Sequence, residues 1–269
     1  MKVSLINYTP NALELLLFTK QTRLSQDAGL MEEIKSWPID RKMKELNYMR
    51  GTIQSSWEFV DATFSIEGVS RAFTHQLVRT RAGSYAQQSQ RTVNMDGFDY
   101  IIPDALNDGT EKTEELNSIY NVAMKQINDR YADLIQEGAN PQDARGILPT
   151  NISTNIIAKF SLRTLADMAK LRLCSRSQGE YQNVFREMRR KVIEVWPWAE
   201  EFIQVHCVAH GVCAFPNYKE CPIKGQIFNP ETGGRWDNSS SAPATRKEIA
   251  SSWESMKFEA VPQQTTKEN

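Results

Sequence analysis

The chain has 269 residues and 40% hydrophobic content, enough for one large domain or two small ones with a sizeable core. Its 32 Lys and Arg against 33 Asp and Glu leave a formal charge of −1, which argues against a chain-wide basic surface for nucleic acid and makes any cationic site local. No apolar run reaches membrane-spanning length, MKVSLINYTP lacks the pattern of a secretory signal, and four cysteines do not make a small secreted disulfide framework; the expected setting is the cytoplasm, with no membrane partner.

In chain order, Val60, Ala62, Phe64 and Ile66 alternate with Phe59, Asp61, Thr63 and Ser65, a period that predicts a strand with one face on a core. Ser70 is placed to cap a helix starting at Arg71, in which Phe73 and Leu77 share a face while Gln76 and Arg79 lie close on another. The segment RTRAGSYAQQSQR, Arg79 to Arg91, follows and reads as a helix end running into a loop. Leu116, Ile119, Tyr120, Ala123, Ile127, Tyr131 and Leu134 predict a long helix, punctuated by Gly138 and Pro141. A second strand is predicted where Ile152, Thr154, Ile156, Ala158 and Phe160 alternate with Ser153, Asn155, Ile157 and Lys159. Leu162 to Leu173 reads as a helix, as does the stretch between Gln178 and Val195, which stops before Pro197. Strands and long helices mixed without regular alternation predict an α+β fold. From about residue 226 the composition turns to Gly, Ser, Pro, Asn and charge, so 226–269 is expected as a flexible tail behind a single domain over 1–225.

RTRAGSYAQQSQR carries three arginines and almost nothing apolar. Arginine offers a planar fork of donors that matches a phosphate or carboxylate, and hydrogen bonds to charged groups contribute roughly 1.5–3 kcal/mol each. Two or three such groups hold a nucleotide phosphate. Arg79, Arg81 and Arg91 are the first candidates, with Ser84, Ser89, Gln87 and Gln88 suited to a base edge or ribose, and Gly83 allowing close backbone approach. An isolated Arg-x-Arg is more often solvated surface, but DARGILPTN adds Arg145 and SLRTLADMAKLR adds Arg163 and Arg172. Nine residues separate the last two, which puts them on opposite sides of one helix.

His206, Cys207, His210, Cys213 and Cys221 fall within sixteen residues, but their spacing matches no strong zinc pattern, and packed thiols are the reading adopted, with no metal expected. Cys174 reads as a packed cysteine as well. Trp196 and Trp198, flanking Pro197, read as packing at a helix junction.

RTRAGSYAQQSQR, preceded by FSIEGVSRAFTHQLV, resembles the signature of flavin-dependent thymidylate synthases, in which Arg-His-Arg is followed after seven residues by Ser; the counterpart here is Arg79-Thr80-Arg81, then Ser89. The resemblance continues through ARGILP and SLRTLADMAKLR, and so covers roughly residues 50 to 200 in consistent order. It implies an α+β fold with a central antiparallel sheet flanked by helices, assembled as a homotetramer with shared active sites. It also implies reductive methylation of dUMP to dTMP, with methylenetetrahydrofolate as carbon donor, FAD as hydride carrier and NADPH as reductant. Position by position, the dUMP site would comprise Gln76, Gln87, Gln88, Ser89, Gln90, Arg91, Arg145 and Arg172. The FAD site would comprise Glu58, Arg79, Thr80, Arg81, Ser161, Arg163 and Asp167. Of the two residues assigned to catalysis, Arg172 would stabilise charge developing on the uracil ring, and Ser89, lacking a partnered His or Asp, would bind and orient. Thr80, Ile53 and Phe59 stand where the family commonly has histidine, and Ser161 and Asp167 where it has asparagine. These departures fall on the flavin and folate side. The alternatives are a relative that installs another group at carbon 5, such as hydroxymethyl, and a nucleotide-binding relative without catalysis.

Overall fold

The computed structural model describes residues 1–22, 24, 27 and 29–256. In chain order its elements are β1 (Lys2–Tyr8), α1 (Ala12–Gln21), α2 (Leu30–Ser36), α3 (Ile39–Thr52), β2 (Asp61–Ser70), α4 (Arg71–Leu77), β3 (Ser84–Gln87) and α5 (Glu111–Gln136). They continue as α6 (Pro141–Ala144), β4 (Ser153–Ser161), α7 (Leu162–Arg172), α8 (Gly179–Val195), α9 (His206–His210) and α10 (Arg246–Glu254), with short 3-10 turns between. The strands form one antiparallel sheet in the order β1-β2-β4-β3, which with the helices makes the fold α+β. No helix among the described residues is long and apolar enough to cross a membrane.

The chain divides into two compact units, one holding Met1–Ser4 and Ser65–Ala158, the other Leu5–Phe64 and residues 159–256. In the first unit Ser70 caps α4 as its position predicts, accepting from the Phe73 amide at 2.9 Å. Helix α5 opens on a capping box between Thr110 and Thr113. Its inward row is Tyr120, Met124, Ile127, Tyr131 and Ile135, packed with Met95, Phe98, Tyr100, Ile102, Ala144 and Ile152. This corrects the predicted apolar face. Ile119 and Leu134 each sit one residue before that row, a rotation of about 100°, and lie exposed, as does Leu116 one turn beyond the core.

The arginine-rich segment is not a continuous loop either. Ser84–Gln87 form the edge strand β3, because Tyr85 donates its hydroxyl back to the carbonyls of Leu77 at 3.0 Å and Thr80 at 2.6 Å, fixing the strand against the end of α4.

In the second unit Leu16, Leu17, Ile34, Leu46 and Met49 fill the space among α1, α2 and α3, all essentially buried. Helix α7 enters from a backbone bond, Leu162 N–H to Val60 O at 2.7 Å, and buries Leu162, Leu165 and Ala169. Helix α8 buries Tyr181, Val184, Phe185, Met188 and Val192. The described part of the expected tail, 226–256, carries α10, which has its own Thr245–Glu248 capping box and buries Ile249 and Trp253. The Trp253 indole donates to the Leu173 carbonyl at 2.9 Å. Average composition hides this, since two apolar residues four apart suffice to dock a short capped helix. Residues 257–269 of the expected tail lie outside the described residues.

Candidate functional site

In the first unit the predicted residues gather around the end of α4 and the segment after β3. Gln88 receives a backbone bond at each side: its N–H donates to Asn155 O at 3.0 Å and its carbonyl accepts from the Arg71 guanidinium at 3.2 Å. The Ser89 hydroxyl accepts from the Arg91 amide at 3.1 Å, a local turn that presents both residues to solvent. The Arg91 side chain donates to Gln142 Oε1 at 2.9 Å. Gln142 lies in α6, which Asn140 caps and Arg145 follows, so Arg91 and Arg145 are brought to one neighbourhood. The Gln87 amide group turns inward instead, donating to Thr74 Oγ1 at 2.8 Å and Thr154 Oγ1 at 3.5 Å. A cleft of about 520 Å³ lined by Asn94, Asp96, Asp99 and Asn155 takes in Gln88 but not Arg91 or Arg145.

Arg71 changes the electrostatics of this region. Its guanidinium is held below its ordinary pKa, first by burial and then by the like charge of Arg145. Its Nε is buried without a hydrogen-bond partner, and so is Nε2 of Gln90. Among the described residues no carboxylate forms a salt bridge to Arg71, Arg91 or Arg145. Like-charged guanidiniums and unused buried donors are groups that an anion stabilises.

Arg79 and Arg81 are exposed in the turn after α4, and the backbone of Thr80 closes that turn by accepting from Gly83 N–H at 3.0 Å. In the second unit Ser161 caps α7, accepting from Thr164 N–H at 3.2 Å, and donates its hydroxyl to Glu58 Oε2 at 2.7 Å. The other oxygen of Glu58 meets Arg163 Nε at 3.6 Å. Ser161, Glu58 and Arg163 are therefore one cluster, whereas Asp167 pairs with Lys170 at 2.8 Å. Arg172 lies over the ring of Tyr181, 4.3 Å from its centroid, with different neighbours from Arg163 as the nine-residue spacing predicts.

Residues 4–198 match the model of a family described as thymidylate synthase complementing protein. The chain belongs to this family. Among its relatives are proteins named flavin-dependent thymidylate synthase from Clostridium tetani, 34% identical over 79% of this chain and 90% of the relative, and from Geobacter sulfurreducens, 34% identical over 73% and 84%. One of the same name from Pyrococcus horikoshii is 34% identical over 79% of this chain and 89% of its own.

For this member of the thymidylate synthase complementing family, sequence reasoning missed Arg71. The sign was available: a cationic residue at the first position of a helix, next to its Ser70 cap, contributes unfavourably to the helix dipole and calls for another use. Gln90 was in the predicted set, but that its amide nitrogen is buried and unpartnered has no signature in the sequence.

Proposed function

We propose that this family member catalyses reductive methylation of dUMP to dTMP, with methylenetetrahydrofolate as carbon donor, FAD as hydride carrier and NADPH as reductant. The observation that carries the reading is the like charge that Arg71 feels from Arg145, neither of them in a salt bridge among the described residues, together with the unused buried donors Arg71 Nε and Gln90 Nε2. A phosphate dianion placed there converts repulsion into attraction on both sides and satisfies donors already stripped of water.

In this reading Arg91, steadied by Gln142, adds a third guanidinium to the phosphate. Ser89 and Gln88 meet the nucleotide from the adjacent turn, and Gln76 offers a carboxamide from α4. Gln87 sets the position of that turn through Thr74 and Thr154. Arg172 stabilises negative charge that develops on the pyrimidine ring, where a cation is worth most in the transition state. Ser89 orients substrate and takes no proton, because its recorded hydrogen bond is to the Arg91 amide, which is no base.

The donor chemistry suits a flavin. Each unit holds such groups: in the first, the cationic Arg79 and Arg81 with Thr80 between them; in the second, the cationic Arg163, with Ser161 and Glu58 already oriented by each other, and Asp167. FAD, when bound, supplies the hydride that the methyl group requires. The same reading assigns the fold of the flavin-dependent thymidylate synthases and a homotetramer with shared active sites.

The test is tritium release from 5-tritiated dUMP by the purified protein. Release that needs dUMP, methylenetetrahydrofolate, NADPH and the yellow flavin together, with a product of dTMP mass, supports the proposal. A hydroxymethyl product mass transfers the reading to another carbon-5 chemistry. Tight dUMP binding with no release leaves a binder and overturns the enzymatic assignment.

A further inference from the structure

Helix α7 carries Arg172 as its last residue, and Leu173 closes it. The final carbonyls of a helix have no partner within it, so a buried one has to find a donor elsewhere. Leu173 is fully buried. Its carbonyl takes two donors from distant stretches of the second unit, Gln182 Nε2 of α8 at 3.1 Å and the indole N–H of Trp253 in α10 at 2.9 Å. Arg172 lays its guanidinium over the ring of Tyr181, 4.3 Å from the centroid. Two consecutive residues at the end of α7 are thus seated on two consecutive residues of α8, and α10 supplies a third attachment. The turn that follows is pinned as well: Cys174 N–H and the Ser177 hydroxyl both donate to Leu171 O, at 3.2 and 2.7 Å.

Trp253 is itself held from several sides. Its ring lies under the guanidiniums of Arg186 and Arg189, Arg186 Nη2 donates to its carbonyl at 3.4 Å, and Arg189 pairs with the next residue, Glu254, at 3.0 Å. Docking α10 by apolar burial asks only for a large ring, which phenylalanine supplies equally. The indole adds one directed bond, and its acceptor adjoins the arginine assigned to the pyrimidine ring. Tyr181 and Gln182 lie within the residues 4–198 that match the family, whereas Trp253 lies beyond them, so the match assigns it no role.

We infer that Trp253 is a positioning residue for Arg172: its N–H anchors the end of α7 so that the guanidinium is already in place when negative charge develops on the pyrimidine ring. The inference rests on the reading of Arg172 proposed above. A charged group contributes most to a transition state when it is oriented in advance and needs no reorganisation during the reaction. A side chain as long as arginine turns a small shift of its backbone into a larger one at the guanidinium, and a misplacement of about 1 Å caused by a remote change costs on the order of 100-fold in rate. Because this interaction is made in the transition state, its loss reads out in turnover and not in nucleotide affinity.

The test is Trp253→Phe in the full-length enzyme, which keeps a buried ring under Arg186 and Arg189 and removes the N–H. Its kcat is expected to fall roughly 10-fold, with kcat/KM falling in step and dUMP affinity by calorimetric titration staying within about 2-fold. Ile249→Ala, which loosens the same helix by packing alone, should lower the urea midpoint more than Trp253→Phe does and kcat less. In an Arg172→Ala background Trp253→Phe should cost nothing further in kcat. Apart from turnover, the amides of Leu173, Cys174 and Ser177, all hydrogen-bonded in the wild-type turn, should exchange roughly 10-fold faster in Trp253→Phe while those of α8 keep their rates. Gln182→Met, which removes the other donor to the same carbonyl, gives the same readouts should Trp253→Phe fail to fold. Trp253→Phe at full turnover beside a crippled Arg172→Ala overturns the inference and leaves the role of Arg172 standing. Losses that add in the double variant overturn it too, since Trp253 then acts by another route. Arg172→Ala at full turnover removes the reading of Arg172 first, and the inference with it.

Discussion

In the first unit Arg71 feels the like charge of Arg145 and neither forms a salt bridge among the described residues, whereas in the second Arg163 leans on Glu58, Arg189 bridges Glu200 and Glu254, and Arg172 lies on the ring of Tyr181. The same side chain is doing opposite things. Where its charge is matched inside the fold and largely buried, as that of Arg189 is by Glu200 and Glu254, the removal of an arginine reads out as stability whether or not it also meets a ligand. Where two guanidiniums repel, the folded state carries a cost that a bound anion cancels, and removal reads out as affinity. A high local density of arginine in a sequence does not separate these cases; the presence or absence of an internal counter-charge does.

The largest effect expected from this contrast belongs to the matched side. Trp253 is buried under the guanidiniums of Arg186 and Arg189, 4.0 and 5.2 Å from the ring centre, and Trp253→Ala should cost about 3–5 kcal/mol, read as a lower unfolding midpoint in urea. Nucleotide affinity of the folded fraction should be unchanged. On the unmatched side, Arg145→Ala should weaken dUMP binding roughly 10- to 100-fold, the equivalent of about 1.5–3 kcal/mol for a hydrogen bond to a charged group, measured by calorimetric titration. Its melting temperature without ligand should stay level or rise, because Arg71 loses a like-charged neighbour. Arg163→Ala is the control: its ion pair with Glu58 is exposed, so stability should move by less than about 1 kcal/mol. An Arg145→Ala protein that melts early and binds dUMP normally would erase the distinction between the units.

Much of this was readable before any coordinates. The strand pair came from two alternations, Val60 to Ile66 and Ile152 to Phe160, because a period of two on a half-buried sheet has few competing explanations. Ser70 announced α4, and the nine-residue spacing of Arg163 and Arg172 announced their different neighbours. What escaped depended on contacts far apart in sequence. β3 exists because Tyr85 reaches back to α4, and α10 because Trp253 finds Leu173. The inward row of α5 was misjudged by one residue at Ile119 and Leu134, since a long helix rich in apolar residues offers two rows and only the core chooses. For the site, the motif supplied Arg91 and Arg145, but Arg71 emerged only from its burial beside Arg145.

A smaller effect tests whether the second unit's polar cluster is structural in the same sense as its arginines. Ser161 both caps α7 and holds Glu58, so Ser161→Ala should lower stability by about 1 kcal/mol in a urea titration. Ser161→Asp keeps a capping oxygen but sets a second carboxylate against Glu58, and should recover part of the loss and not all of it. Full recovery would show that the bond to Glu58 contributes nothing.

The smallest effect asks whether the two units, so different in their arginines, share one way of starting a helix. Asp108 ahead of α5 is held below its ordinary carboxyl pKa of 3.8, chiefly by the Thr113 hydroxyl and then by the amide and hydroxyl of Thr110. Glu248 in α10 is held below its ordinary 4.5 by the amide and then the hydroxyl of Thr245. A carboxyl depressed on folding contributes stability that is fully present above its unfolded value and is lost as pH falls through the folded one. The chain should therefore lose stability as pH drops below 4.5, and Asp108→Asn and Glu248→Gln should each make that acid limb shallower while costing a little at neutral pH. Both carboxylates are solvated, so salt should shrink both effects and neither should match Ser161→Ala. Melting curves against pH for the two variants should then run parallel; if only one flattens the limb, the shared capping chemistry is not what couples acid to unfolding, and the units differ in their caps as they do in their arginines.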